Sequence, residues 1–173
     1  MNLDFSSITS VEELQNIIEQ CKKRIEEINP YGNLKSLSNK KFGEEWSESY
    51  ILKRCPNLQK DNSRGHDMIS KKFGRIEIKS SRLPCQSITY NQCHPLECEY
   101  FLFVNYGTIN GSEEIFLVPS KDFMDEELFS KSIQHSRTDN SCYSMRGSTK
   151  KNKESLKQYQ FENFEKLNKF LEV

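Results

Sequence analysis

The sequence predicts an α/β fold of the α+β kind: a central mixed β-sheet flanked by helices, in one domain spanning residues 1–173. Three observations predict it. Apolar residues recur at helical spacing near the N-terminus, a segment around residue 77 alternates strictly, and two nearly continuous apolar runs follow residue 97.

The first helix starts after Thr9 or Ser10, a capping residue type, with Glu12 and Glu13 in its favoured first turn. Val11, Leu14, Ile17, Ile18, Cys21, Ile25 and Ile28 give it an apolar stripe, read as packing, and Asn29-Pro30-Tyr31-Gly32 ends it. A second helix is expected from about Asn39 to Arg54, stopping before Pro56. Its first two turns carry Glu44, Glu45 and Glu48, and Glu44 and Glu48 share a face. HDMIS and GRIEIKSS then flank Lys71-Lys72-Phe73-Gly74, the pattern of a hairpin. In RIEIKS, Ile76 and Ile78 face one way while Glu77 and Lys79 face the other. CEYFLFVNYG and EEIFLVPS read as a central strand and its neighbour. A short helix is expected over Lys121–Lys131, a loop-rich insert over Ser132–Lys153, and a last helix over Glu154–Leu171.

With 25 basic and 25 acidic residues the formal charge is +0, which excludes a histone-like protein and a strongly acidic tail. It leaves nucleic-acid enzymes open, because local clustering of charge outweighs the sum. The apolar fraction of 35% and mean hydropathy of -0.78 are low, yet 11 Phe, 7 Tyr and 1 Trp supply a core. No apolar run approaches the roughly 18 residues that span a bilayer. The segment MNLDFSSITS lacks the basic start and apolar run of a secretory signal. No membrane partner is therefore expected, the location is read as cytoplasmic, and the six cysteines are read as reduced thiols.

The chemistry concentrates in GHDMISKKFGRIEIKSSR. A hairpin brings Asp67 alongside Glu77, and Lys79 shares the face of Glu77. Two carboxylates and an ammonium at one sheet edge suit metal-assisted phosphodiester hydrolysis. Asp67 and Glu77, with the backbone carbonyl of Ile78 as a third ligand, would hold a hard cation such as Mg²⁺, with Mn²⁺ as a substitute. Lys79 would serve the chemical step, and no small-molecule cofactor is called for.

The D-x9-E-x-K arrangement of Asp67, Glu77 and Lys79 resembles the PD-(D/E)xK nuclease superfamily over roughly residues 40–120. His66 stands where many members carry proline. FGEEWSESYILKR resembles the superfamily's first core helix, which often adds a carboxylate. Glu44, followed three residues later by Ser47, fits that role best, then Glu48, then Glu45. The resemblance implies a restriction-endonuclease-like core and catalytic roles for Asp67, Glu77, Lys79 and Glu44. It also implies double-stranded DNA as substrate, a type II restriction endonuclease acting as a homodimer, and the first or last helix as the dimer contact. Alternatives are a structure-specific repair nuclease or junction resolvase, or a catalytically silent DNA-binding module.

Two polar segments, Arg82–Gln92 and Gln134–Arg146, are the expected base-reading surfaces, with Asn91, Gln92, His135 and Arg137 preferred. Cys85, Cys93, His94 and Cys98, spaced C-x7-C-H-x3-C, do not match paired zinc-ligand loops. Nothing in the sequence orients Cys142 and His135 as a thiol nucleophile and its base. Trp46 is expected to pack on its helix face.

Overall fold

The computed structural model describes residues 10–29, 31, 34, 36–61, 66–83, 88–107, 111–134 and 142–172, apart from the side chains of Ile25, Glu26 and Glu44. Helix α1 (Val11–Ile28) opens with a reciprocal cap. Ser10 Oγ accepts from Glu13 N at 3.1 Å, and Glu13 Oε2 accepts from Ser10 N at 3.3 Å. A π-helical stretch, Lys41–Ser47, runs into α2 (Glu48–Arg54). Three antiparallel strands follow: β1 (Leu58–Lys60), β2 (Met68–Ser70) and β3 (Gly74–Leu83). Then come β4 (Thr89–Cys93), β5 (Tyr100–Gly107), β6 (Glu113–Pro119) and α3 (Ser120–Met124). The chain continues through β7 (Lys131–Ile133), β8 (Tyr143–Arg146), α4 (Lys150–Lys157), β9 (Gln160–Phe161) and α5 (Phe164–Leu171).

Six strands form the main sheet in the order β1-β2-β3-β5-β6-β9, with β3 and β5 parallel and the other pairs antiparallel. Strands β4, β8 and β7 make a second, smaller sheet. The architecture is α+β, with a central mixed sheet flanked by helices, as the pattern predicts.

Strand β5 explains the continuous apolar run, because it is buried on both faces. Leu102, Val104 and Tyr106 pack with Ile76 and Ile78 of β3, Ile51 of α2 and Leu167 and Leu171 of α5. Phe101 and Phe103 pack the other way, with Tyr90, Phe123, Met145 and Leu156. The main sheet is thus covered by α2 and α5 on one face, and by the small sheet, α3 and α4 on the other.

The β2–β3 hairpin forms as expected, with Ser70 opposite Gly74. Gly74 has φ +75, and a Cβ there would stand 2.9 Å from Glu99 Oε2. That carboxylate accepts from Arg75 N at 2.6 Å and Arg75 Nε at 3.1 Å, so the turn is tied to the segment before β5. Gly74→Ala is expected to lower stability by about 1–2 kcal/mol, the cost of a left-handed backbone at a residue with a Cβ. A urea midpoint equal to wild type would contradict this.

Three expectations are corrected. The helix expected over Lys121–Lys131 stops at Met124, where Asp125 Oδ1 accepts from Glu127 N at 2.8 Å and turns the chain toward β7. The single last helix is two. Thr149 caps α4 by accepting from Asn152 N, and Asn163 caps α5 by accepting from Lys166 N. Between them Tyr159 O accepts from Leu117 N at 3.1 Å, pulling the chain onto the edge of β6. The insert expected to be loop-rich, Ser132–Lys153, contains β8, which pairs with β4 across the long connection. Among the described residues no helix is long and apolar enough to cross a membrane.

Candidate active site

Asp67 sits one residue before β2, and the hairpin clamps it to β3. Its N–H donates to Ile76 O at 3.0 Å, and its Oδ2 accepts from Ile78 N at 2.6 Å. The carboxylate therefore extends the ladder by one rung and is held in place by backbone. Glu77 and Lys79 share a face of β3, as alternation requires, and Lys79 Nζ lies 2.7 Å from Glu77 Oε1. The other carboxylate oxygen accepts from His94 N at 3.0 Å.

Glu77 is 4% exposed. Burial pushes its carboxyl pKa up, against the opposing pull of Lys79 and the His94 N–H, and the charge of Asp67 adds to the rise. Burial lowers the Lys79 pKa, but the charges of Glu77 and Asp67 beside it outweigh burial, so the ammonium is held charged. The three side chains of the motif thus act on one another electrostatically.

Asp67, Ile78, Lys79 and Ser80 line a cleft of about 490 Å³, closed on other sides by Glu48 and Gln92. Glu77 is not among the lining residues. Glu48 opens α2, and its Oε2 lies 3.0 Å from Lys60 Nζ. The helix approaches this closely because Ser47 is small and fully buried, with Oγ 2.5 Å from Ser80 Oγ and 3.1 Å from Tyr106 OH. Of the three helix acids, Glu45 is exposed, the Glu44 side chain lies outside the described residues, and Glu48 faces the cleft. Trp46 stacks between Phe42 and Tyr50, with ring centroids at 6.1 and 4.7 Å, as expected of a packing residue.

Gln92 has φ 55, at an irregularity in the β4–β8 register between Tyr90 and Cys93. Such a bulge re-aims side chains. Gln134 braces the neighbouring pair, with Oε1 accepting from Gln92 N at 2.7 Å and Nε2 donating to Asn91 Oδ1 at 3.2 Å. His135, Arg137 and Cys85 lie outside the described residues. Burial pushes the Cys98 thiol up to about 12 and the Cys93 thiol higher, so both are neutral donors in packed surroundings. Cys98 Sγ donates to His94 O at 3.6 Å.

Sequence reasoning missed one contributor: His94 serves through its backbone N–H, which no side-chain pattern signals. Glu48, the second choice among the helix acids, lines the cleft.

The donor chemistry fits a hard divalent cation. Glu48 and Asp67 bring carboxylate oxygens, and the backbone of Ile78 borders the same cleft. Glu77, expected as a metal ligand, does not line the cleft and has both oxygens engaged, by Lys79 Nζ and His94 N. Among the described residues no three His, Cys, Asp or Glu side chains stand grouped for a metal ion. Neither protein-family models nor curated proteins match this chain.

Proposed function

We propose that the protein is a Mg²⁺-dependent endodeoxyribonuclease that cuts double-stranded DNA at specific sites, as a type II restriction endonuclease does, in the cytoplasm. The observation carrying this reading is the meeting of Asp67, Lys79 and Glu48 at one cleft, with Glu77 ion-paired to Lys79. Glu48, Asp67 and the carbonyl of Ile78 would hold the cation, which supplies a Lewis acid and an activated water. Lys79, kept charged, donates to a non-bridging phosphate oxygen and offsets charge gathering on the pentavalent phosphorus. Glu77 orients that ammonium, and His94 N orients Glu77.

The surroundings support a nucleic-acid path. A second hollow of about 430 Å³ shares Lys79 and Ser80 with the first and runs on past Arg82 and Asn91. A third, of about 320 Å³, meets it at Thr89 and carries Lys131 and Arg146. Basic side chains on hollows that share lining residues would fit successive phosphates. The polar edge of β4, bearing Asn91 and Gln92, forms one wall where base edges would be read.

Incubating the protein with plasmid DNA and Mg²⁺ tests the reading. Discrete fragments that vanish with EDTA are expected. A smear would remove site specificity, cutting of branched DNA alone would move the assignment to a junction resolvase, and DNA bound but intact would leave a silent binding module.

A homodimer belongs to this proposal. Val11, Leu14, Ile18, Cys21, Ile25 and Ile28 of α1 repeat every three and four residues, the seam of a two-helix coil. Val11 is 73% exposed, Leu14 41%, Ile18 45% and Ile28 67%, so the seam lies outside the core. A second copy of α1, antiparallel, would cover it and set Glu12 and Glu13 near the partner's Lys22, Lys23 and Arg24. Leu14→Glu with Ile18→Glu is expected to halve the mass found by sedimentation equilibrium while leaving the melting temperature of the core unchanged. Equal masses for variant and wild type would exclude α1 as the contact.

A further inference from the structure

A cavity of about 300 Å³ lies between the main sheet, β4 and α4 and shares no lining residue with the Asp67 cleft. Its walls are apolar, from Leu83, Ile88, Phe116 and Leu156. One end is a built polar edge. Tyr90, 2% exposed, donates its phenol hydrogen to Asn105 Oδ1 at 2.8 Å. Burial holds that phenol proton far above the usual range, so Tyr90 is a donor here. The Asn105 amide is thereby fixed: Oδ1 accepts, and Nδ2 points to Glu114, whose Oε2 accepts at 2.9 Å. Asn105 itself is 2% exposed, and it faces Glu114 directly across the β5–β6 ladder. At the mouth stand Lys153 and Lys157, one turn apart on α4.

The edge thus offers a second amide hydrogen on Asn105 Nδ2, followed by carboxylate lone pairs on Glu114. Its complement is an acceptor followed by two donors on a flat ring. Guanine presents that order, with O6, N1–H and N2–H₂. Adenine sets a lone pair at N1 against the carboxylate, and cytosine presents acceptors at both N3 and O2. Apolar walls suit the ring faces, and two ammonium groups one turn apart suit a 5′-phosphate. The volume is at the small end of ligand sites, the size for a mononucleotide rather than a dinucleotide.

We propose that this cavity binds a guanine nucleotide, with Asn105 and Glu114 reading the base and Lys153 and Lys157 holding the phosphate. The proposal stands apart from the nuclease reading, because it uses no residue of the Asp67 cleft and needs no metal. The guanine has two possible sources, a free nucleotide or an unpaired base in a strand, and the chemistry at the edge is the same for both.

The test is calorimetric titration of the intact protein, without Mg²⁺, using GMP, AMP, IMP, guanosine and a short oligothymidylate with or without one central guanine. GMP is expected to bind at least about tenfold tighter than AMP, since unpaired polar groups penalise the wrong base. IMP, lacking N2–H₂, should fall between them. Lys153→Ala with Lys157→Ala should bring GMP down to the affinity of guanosine. Glu114→Gln should erase the preference for GMP over AMP, with an unchanged melting temperature showing that the fold persists. Binding of the guanine-containing oligonucleotide alone, again lost in Glu114→Gln, would assign the pocket to a strand base. The proposal is overturned if GMP and AMP bind alike and the central guanine adds nothing, or if Glu114→Gln retains the wild-type preference.

Discussion

Lys79→Ala is expected to cost about 3–5 kcal/mol of stability, the penalty for removing one partner of a buried ion pair. The ammonium is 2.7 Å from Glu77 Oε1, with the two side chains only 19% and 6% exposed. Without it, Glu77 keeps, among the described residues, the His94 N–H as its compensating donor. Burial already pushes this carboxyl pKa up, and losing Lys79 pushes it further. A carboxyl with a raised folded-state pKa favours folding in acid, and that contribution is lost as the pH climbs through the raised value. The deficit of Lys79→Ala is therefore smallest at acid pH and grows toward neutrality. Glu77→Gln combined with Lys79→Met removes both charges and should recover most of the stability, while remaining inactive. Urea melts of the three proteins across pH check this, and a Lys79→Ala midpoint that matches wild type at neutral pH would refute the coupling.

Asp67→Ala is expected to lower single-turnover DNA cleavage by about 10³-fold or more. Losing a cation's Lewis-acid contribution costs several kcal/mol of barrier, and each 1.36 kcal/mol is about a factor of ten. The fold should survive, because among the described residues its carboxylate accepts one hydrogen bond, from Ile78 N, and such a bond is worth about 1.5–3 kcal/mol. Asp67→Asn separates the two roles. It can still accept from Ile78 N but carries no charge, so it should be as inactive as Asp67→Ala with the stability of wild type. Fluorescence anisotropy on labelled DNA should show binding little changed in both. Cleavage by Asp67→Asn at the wild-type rate would remove Asp67 from the site.

How much of this was legible follows from where each signal is stored. The hairpin was legible because Ile76 and Ile78 face a core while Glu77 and Lys79 pair on the other side, so the burial difference is written into alternate positions. The β5 and β6 runs were legible because both faces of β5 are covered. The small sheet was not, because Thr89 of β4 pairs with Arg146 of β8 and such distant partners leave no local pattern. Leu156, Tyr159 and Phe164 imitate one helical stripe although Tyr159 lies in the approach to β9, and the caps at Thr149 and Asn163 were present as start signals. The stripe on α1 reads as packing, yet Val11, Leu14, Ile18 and Ile28 are exposed, since period reports amphipathicity and not the identity of the covering surface. The Asn105–Glu114 pair needed the strand register before it could be seen at all.

The main sheet terminates on β1, three residues long, and on β9, two residues long, while its ten- and eight-residue strands β3 and β5 lie inside. A strand border recruits other chains in proportion to the length of backbone it leaves open. This molecule leaves little: at β1, Gln59 and Lys60 are exposed, and Lys60 is tied back to Glu48. Concentrated solutions of the folded protein should therefore resist fibril growth. The protection at the other border is only as good as the short strand that provides it. Peeling β9 away would open β6 at Ile115 and Phe116, two otherwise buried residues, and convert the sheet into a template for cross-β assembly.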